Sequence, residues 1–399
     1  MSVLKKGLHD VAIGATKMFS KLLPDKVPVT FVGEHATREL CDSIAQLGVS
    51  KVLIVTDAGL VDVGLVGRVT DALDAAGVRH SVYSGVEPDP TFDQAEAGLA
   101  QLRAEGCDAV LAVGGGSPMD AAKVIAAAAT DDRPMQKLEG LFKLRRAPLP
   151  LFAIPTTAGT GSEVTVAAVV SDSESHAKKF FVDPKLLPRM TALDPTLMVG
   201  LPPHITAATG MDALTHAVES WIATTSTEQT EGYARVAVKL IFQHLPTACA
   251  HGDDLAARKS MALASYYAGL AFTRTSVGYV HAIAHHFGAR YGTPHGLANA
   301  IALPPVLEFS RPEVEGRLAR LAELIGVGEG SDARKAEAFI EAVRGLKEEV
   351  GIPTSLDALV ESDIPDLARG ALAEAQMNYP VPRYMSQPQC EALLRSLLP

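Results

Sequence analysis

The sequence has few cysteines, and they lie far apart. Its 399 residues include four, Cys41, Cys107, Cys249 and Cys390, and no Cys-x-x-Cys pair occurs. This spacing excludes a disulfide framework and a cysteine-based zinc site, and it suits a reducing compartment. We therefore predict a cytoplasmic protein without structural disulfides.

Long runs of basic or apolar residues are also missing. The formal net charge is −10 without any long basic run, which argues against nucleic acid as a partner. No stretch stays apolar for the roughly 20 residues that a membrane-spanning helix needs. Hydrophobic residues make up 47% of the chain and are interleaved with charged ones, which excludes a disordered protein. The length predicts about two domains.

The first 28 residues differ from the rest. In residues 1–24 the apolar residues recur near helical spacing, with lysines at positions 5, 6, 17 and 21, but the compact apolar run and cleavage site of a signal peptide are missing. We predict an N-terminal helical extension over residues 1–28 that packs on the body of the protein. Attachment to a membrane surface is the alternative, which the weakly basic polar face disfavours.

Short Val-, Ile- and Leu-rich runs then alternate with segments of helical period as far as about Asp194. Nearly continuous apolar runs are typical of parallel strands buried on both faces. The alternation predicts a Rossmann-like α/β domain with a parallel sheet over residues 29–200. Three later runs (LPLFAIPTT, VTVAAVVSD and KKFFVDP) predict further strands, interpreted as a β-rich appendage. The predicted helices are Ala36–Leu47, Leu65–Ala76, Phe92–Glu105 and Met119–Ala129.

After Pro202 and Pro203 the strand-like runs vanish. The remaining pattern is helical, with polar breaks near residues 250, 310, 328 and 352. We therefore predict an all-helical domain over residues 201–399.

This helical half contains an unusual group of histidines. In HAIAHHFGARYGTPHG, His281 and His285 lie four residues apart on one helix face, and His295 follows a Gly-Thr-Pro helix break on the loop beyond. In GMDALTHAVES, Asp212 and His216 are also four apart. Two helices can therefore direct an Asp–His pair and a His–His pair at one point, which suits Fe(II) or Zn(II). The alternative is that these are ordinary core or surface histidines.

A glycine-rich turn joins a predicted strand to a predicted helix in AVLAVGGGSPMDAAK. Gly114, Gly115 and Gly116 permit a sharp turn and close approach of a ligand. Ser117 suits the N-cap and Pro118 the first helical position. The helix N-terminus then offers N–H groups to a pyrophosphate. A turn that serves only packing is the alternative, since the motif is not GxGxxG.

Two other predicted strand ends carry polar side chains. Asp57 ends KVLIVTD, where its carboxylate would accept hydrogen bonds from ribose hydroxyls and repel a 2′-phosphate, favouring NAD over NADP. Because Asp57 precedes the glycine turn, the reverse of the usual order, a simple helix cap is the alternative. The loop IPTTAGTGSE brings Thr156, Thr157 and Thr160 to a second strand end, where they could line a phosphate or nicotinamide channel.

Four motifs together (GGGSPMDAAK, IPTTAGTGSEVT, GMDALTHAVE and HAIAHHFGARYGTPHGLANAIALP) resemble the iron-containing (group III) alcohol dehydrogenases of the dehydroquinate synthase-like superfamily. The likeness runs from about Val29 to the last predicted helix. It implies a dinucleotide-binding domain and a helical domain with the site in the cleft between them. It also implies a metal-dependent, NAD(P)-linked alcohol dehydrogenase or aldehyde reductase that forms a homodimer or larger homo-oligomer, with Fe(II) favoured over Zn(II).

The same resemblance implies roles for individual residues. It makes Asp212, His216, His281 and His295 the metal ligands and places His285 beside the substrate and nicotinamide, where it could relay a proton; His286 is interpreted as structural. Two departures from the family are Asp89, where many members have Asn, and Arg274, where many have a small residue or Asn. The cofactor-binding residues that it implies are Asp57, Gly115, Gly116, Ser117, Asp120, Thr156, Thr157, Thr160 and Lys178.

The substrate and the rival functions depend on less specific features. Phe272, Phe287 and Tyr291 are predicted to form the apolar wall of a pocket for a small alcohol or aldehyde, with helix packing as the alternative. The rivals are a zinc-dependent polyol (glycerol or diol) dehydrogenase, a lyase resembling dehydroquinate synthase, and a catalytically silent scaffold. The lyase would need several basic residues, whereas the helical motifs show mainly Arg274 and Arg290. An intact ligand set argues against the scaffold.

Overall fold

A computed structural model describes residues 26–174 and 177–399. By its internal contacts the chain divides into two compact units between Gly200 and Leu201. Residues 1–25, and with them nearly all of the predicted N-terminal extension, lie outside the described residues. Within the described ranges, no helix combines the length and apolarity needed to cross a membrane.

The first unit is built on a parallel sheet. Its described residues form six strands in the order β1-β9-β6-β4-β2-β3. These are β1 (Val29–Val32), β2 (Lys51–Val55), β3 (Arg79–Tyr83), β4 (Ala109–Gly114), β6 (Leu151–Pro155) and β9 (Met190–Leu193). A smaller sheet contains β5 (Gly140–Leu141), β8 (Lys178–Val182) and β7 (Ala167–Ser171). The helices are α1 (Ala36–Gln46), α2 (Ala58–Asp62), α3 (Leu65–Ala75), α4 (Phe92–Ala104) and α5 (Gly116–Ala128).

The central strands β4 and β6 are buried along their whole length. Alternate residues enter two separate cores, because successive side chains of a strand point to opposite faces. Leu53 and Val110 belong to one core, and Ile54 and Leu111 to the other. Burial of both faces explains the nearly continuous apolar runs. The prediction of a Rossmann-like parallel sheet is confirmed.

Three details differ from the sequence-based predictions. Helix α5 begins at Gly116, three residues earlier than predicted, with extended Gly115 as its N-cap. The assignments of Ser117 as the N-cap and of Pro118 as the first helical residue were therefore wrong. The run LPLFAIPTT supplies β6 of the main sheet, and only the two later runs belong to the small sheet. Strand β9 was not predicted, because its four residues (Met-Thr-Ala-Leu) form too short an apolar run to stand out from the sequence.

The second unit is all-helical within its described residues, as predicted. The expected break near residue 310 corresponds to a kink at Val314 (φ −129°, ψ 18°), where two helical segments meet within the run His295–Ile325. The helices are α6 (Pro203–Ile222), α7 (Glu228–Ala250), α8 (Leu255–Thr275), α9 (Tyr279–Tyr291), α10 (His295–Ile325), α11 (Asp332–Glu349), α12 (Ile364–Asn378) and α13 (Gln387–Arg395).

Ser276, in the turn between α8 and α9, has a strained backbone. Its φ of 66° and ψ of −171° lie in a region that is essentially reserved for glycine, at a cost of about 1–3 kcal/mol. Ser276→Gly should relieve this strain while adding about 0.5–1 kcal/mol of unfolded-state entropy. We expect the free energy of unfolding to rise by about 1 kcal/mol in denaturant titrations.

Ser260→Gly is the matched control for this prediction. Ser260 lies inside α8 and is half-buried, and its hydroxyl donates to the carbonyl oxygen of Ala256 at 2.8 Å. The same substitution there should lower the free energy of unfolding by about 0.5 kcal/mol. Destabilisation by both substitutions would contradict the assignment of strain to Ser276.

Candidate functional site

Helices α6 and α9 bring three possible metal ligands to one point. Asp212 and His216 lie one turn apart on α6, and His281 lies in the first turn of α9. One ligand atom from each lies within 4.8 Å of the other two. The residues are only 2%, 5% and 2% exposed, respectively. The two predicted helical faces therefore converge in a buried cluster.

His295 adjoins this cluster from a third helix. Its Nε2 atom lies 3.6 Å from Asp212 Oδ1, and its ring centroid lies 5.4 Å from that of His281. Its predicted position on a loop is wrong, since it is the first residue of α10. The next residue, Gly296, permits this close approach, because a Cβ there would lie 2.4 Å from the carbonyl oxygen of Ala208 on α6.

Glu219, also on α6, orients His281. Its carboxylate accepts hydrogen bonds from the backbone N–H groups of Gly278 and Val280 and from His281 Nδ1, each at 2.7 Å. Burial raises the pKa of Glu219 to about 8, and the N–H groups of Val280 and Gly278 oppose this rise. Glu219 has no role in the sequence-based predictions. Its position three residues after His216, on the same helix face, was the available signal.

The contact with Glu219 determines which nitrogen of His281 can bind a metal. With Nδ1–H donated to Glu219, the lone pair is on Nε2, a tautomer assigned from the hydrogen bonds. His281 Nε2 is buried and has no hydrogen-bond partner among the described residues. Burial, followed by the neighbouring His216 and His295, holds the pKa of His281 well below its usual value. A neutral imidazole with an unused lone pair is the form that binds divalent metals, so the site fits one.

Asn299 supports the carboxylate of the cluster. Its Nδ2 group donates to Asp212 Oδ1 at 2.6 Å and lies 3.1 Å from His295 Nε2. Asn299 is fully buried, one turn after His295 on α10. It therefore ties Asp212 to the helix that carries His295. Asn299 is absent from the sequence-based predictions, because only the packing of α10 against α6 places its amide at Asp212.

His285 is held by a different acidic residue. Its Nδ1 atom lies 2.7 Å from Glu374 Oε1, which also accepts a 2.5 Å hydrogen bond from the hydroxyl of Tyr379. Its ring stacks against that of His295 at 5.4 Å between centroids. The adjacent His286 donates from Nδ1 to the carbonyl oxygen of Ala282 at 2.9 Å.

The three aromatic residues predicted for the substrate pocket occupy different surroundings. Phe272 stacks on His216, with the ring centroids 4.1 Å apart and the planes 14° apart. Phe287 is fully buried, and the hydroxyl of Tyr291 donates to Asp363 at 2.9 Å. The ring contact places Phe272 beside the metal cluster, and a pocket role stays a prediction for all three residues.

In the first unit, the glycine turn and the threonine loop pack against each other at the carboxyl ends of β4 and β6. The backbone N–H of Thr156 donates to the carbonyl oxygen of Gly114 at 3.0 Å. A Cβ on Gly115 would lie 3.3 Å from Thr157 Oγ1, and one on Gly116 would lie 3.0 Å from Thr160 Cγ2. Both glycines therefore permit close packing of the threonine loop beside the N-terminus of α5.

The acidic and basic residues predicted for this edge have partners within the unit. Asp57 is the N-cap of α2, where its Oδ1 accepts from the N–H of Leu60 at 2.9 Å, as the helix-cap alternative requires. Lys178 Nζ lies 3.1 Å from Oδ1 of Asp89, which has a positive φ of 55°. The side chain of Asp89 is 67% exposed.

Comparison with known proteins identifies the class of enzyme. Residues 28–195 match the family model for iron-containing alcohol dehydrogenases, and residues 206–398 match the C-terminal model of the same family. The chain is 38% identical to an NAD-dependent methanol dehydrogenase of Bacillus methanolicus, covering 87% of this chain and 92% of the relative. It is 40% identical to the lactaldehyde reductase of Escherichia coli K12, covering 85% and 90%.

A solved structure extends the likeness to the whole fold. The chain aligns with the crystal structure of a 1,3-propanediol oxidoreductase at a TM-score of 0.89 and 40% identity, covering 92% of this chain and 98% of that one. The protein is therefore an oxidoreductase that acts on alcohols or aldehydes. It belongs to the iron-containing alcohol dehydrogenase family. The predicted family, fold class and enzyme class are confirmed, and the zinc-dependent polyol alternative is not favoured.

Proposed function

We propose that the protein is an NAD-linked alcohol dehydrogenase and aldehyde reductase that uses Fe(II) held by Asp212, His216, His281 and His295. This proposal rests on the observation that the first three of these side chains are buried and converge on one point. The lone pair of His281 Nε2 is available there. Three imidazoles and one carboxylate suit Fe(II) and Zn(II) alike, and the family favours Fe(II). When bound, the cation supplies Lewis acidity toward the alcohol or carbonyl oxygen.

Residues of the chain orient the metal ligands, accept the proton of the substrate and contact its carbon chain. Glu219 keeps the proton of His281 on Nδ1, and Asn299 holds Asp212 in place. Nε2 of His285 accepts the proton of the substrate hydroxyl, because Nδ1 of His285 is already hydrogen-bonded to Glu374. Phe272 supplies an apolar surface beside His216 for the carbon chain of a small primary alcohol or its aldehyde.

The dinucleotide is proposed to bind the first unit, in the domain over residues 29–200, while the domain over residues 201–399 carries the metal and the catalytic groups. The N-terminus of α5 binds the pyrophosphate through its free N–H groups. The carboxylate of Asp57 favours NAD, since it would repel a 2′-phosphate. The proposed contact residues are Asp57, Gly115, Gly116, Ser117, Asp120, Thr156, Thr157, Thr160 and Lys178.

A homodimer or larger homo-oligomer in the cytoplasm completes the proposal. The family resemblance implies the oligomer. The cytoplasm is supported by the four cysteines, which are all free and of which Cys41, Cys107 and Cys390 are buried.

Metal reconstitution combined with a cofactor comparison tests the proposed function. The chelator-treated protein should regain turnover of primary alcohols on anaerobic addition of Fe(II), followed by NADH absorbance. We expect kcat/KM to be at least about tenfold higher with NAD than with NADP, a difference of about 1.4 kcal/mol in transition-state binding. Asp57→Asn should lower the ratio of kcat/KM with NAD to kcat/KM with NADP, while the metal content stays constant.

Two outcomes would contradict the proposal. Equal turnover by the metal-stripped and reconstituted proteins would show that the metal takes no part in the reaction. Equal kcat/KM with NAD and NADP for the unmodified protein would show that Asp57 does not select the cofactor. Zinc reconstitution in parallel decides which cation supports the higher rate.

A further inference from the structure

Lys123, on α5 in the first unit, is a buried lysine without a role in the proposed reaction. It is only 1% exposed. Its ammonium donates to Ser162 Oγ and Thr165 Oγ1 at 2.8 Å each and to the carbonyl oxygen of Ala167 at 2.7 Å. A lysine ammonium has three N–H donors, so these contacts use all of them. Burial of a charge is costly unless such partners compensate it.

Asp120 holds the same segment from one turn earlier on α5. Its Oδ1 accepts from the hydroxyl of Ser162 at 3.0 Å, and its Oδ2 accepts from the backbone N–H of Val169 at 3.1 Å. Residues three apart on a helix share a face. Asp120 and Lys123 therefore hold residues 162–169 against one face of α5. The carboxylate of Asp120 accepts hydrogen bonds from this segment, and the ammonium of Lys123 donates hydrogen bonds to it.

This attachment fixes the far end of the threonine loop. Residues 156–161 run from the end of β6, where Thr156 bonds to Gly114, to Ser162, which α5 holds. The backbone N–H of Ser162 also lies 3.3 Å from Thr160 Oγ1. Thr160 in turn packs against Gly116 at the start of α5. A displacement of Ser162 would therefore displace Thr160 at the proposed pyrophosphate site.

The lysine remains charged in these surroundings at neutral pH. Burial lowers its pKa to about 8, and the neighbouring carboxyl groups of Asp120 and Glu163 oppose this effect. Glu163 is itself buried, at 2% exposed. An uncharged side chain of similar length would leave these three acceptors, two of them fully buried, without their donor.

We propose that Lys123 is a positioning residue of the dinucleotide site, which holds residues 156–161 against the glycine turn and thereby sets the affinity for NAD. Lys123 acts through Ser162 and Thr165 and does not contact the cofactor itself. The inference rests on the proposed dinucleotide site at the N-terminus of α5.

Lys123→Met tests this role, because methionine keeps the length and burial but removes the three donors. We expect the dissociation constant for NADH, measured by fluorescence, and the KM for NAD to rise at least about tenfold, since a displacement of about 1 Å can have such an effect. The KM for the alcohol and the metal content should be unchanged. Lys347→Met is the matched control: Lys347 is 4% exposed on α11, and its loss should leave NADH affinity unaltered.

Thr165→Val decides the question if Lys123→Met does not fold. It is nearly isosteric and removes one acceptor of the ammonium, and we expect NADH to bind about threefold more weakly or worse. Undiminished NADH affinity in a folded Lys123→Met or Thr165→Val protein, with only a lower melting temperature, would overturn the positioning role. Absence of NADH binding by the unmodified protein would instead overturn the proposed dinucleotide site, and the inference with it.

Discussion

Replacing His281 with alanine should abolish metal binding and lower kcat/KM for the alcohol by at least about 10³-fold. His281 Nε2 is a buried lone pair in the metal cluster, and its direction is set by the hydrogen bond between the opposite nitrogen, Nδ1, and Glu219. A metal ion contributes several kcal/mol of charge stabilisation to such reactions, and each ~1.4 kcal/mol is a factor of ten in rate. Metal content of the purified protein and turnover with NAD are the two measurements.

His286→Ala is the matched control for this prediction. His286 lies on the same helix, and its Nδ1 bonds to the carbonyl oxygen of Ala282. Its loss should leave the metal content unchanged. Full metal occupancy with normal turnover in the His281→Ala protein would refute the assignment of His281 as a ligand.

Glu219→Ala should have the second largest effect, on metal affinity and on stability together. Loss of a hydrogen-bonding partner behind a metal-ligating histidine typically weakens metal binding by about 10- to 100-fold. The substitution also leaves three buried donors, at Gly278, Val280 and His281, without their acceptor. At about 1–3 kcal/mol for each unsatisfied buried group, we expect the free energy of unfolding to fall by at least about 3 kcal/mol.

Glu219→Gln separates the charge from the shape of this side chain. Glutamine keeps one acceptor oxygen, whereas its amide N–H₂ group cannot accept from the other donors, so we expect an intermediate loss of metal affinity. Denaturant titrations of the chelated protein isolate the stability effect from metal binding. Glu231→Ala is the control. Glu231 lies on α7, is half-buried and pairs with Arg317, and its loss should leave metal affinity unchanged. An equal loss in this control would show that the Glu219 effect is not specific.

Much of the candidate metal cluster was predictable from helical periodicity. Asp212 and His216 lie one turn apart on α6, and His281 lies on α9, as the spacing predicts. Spacing alone could not distinguish the roles of His281 and His285. In the structure, His281 is held by Glu219 in the metal cluster, whereas His285 is held by Glu374 on α12, 89 residues away in sequence. Only tertiary packing can create a contact at that separation.

The sequence by itself determined the elements: a buried parallel sheet from its apolar runs, helical faces from their period, and sharp turns from their glycines. These properties depend on local geometry, which repeats every two or 3.6 residues and can be read along the chain. Only the tertiary structure decided that Glu219 orients His281, that Asn299 holds Asp212, and that Lys123 binds the segment after the threonine loop. These partners satisfy buried polar groups, and which groups become buried together depends on how the helices and strands pack.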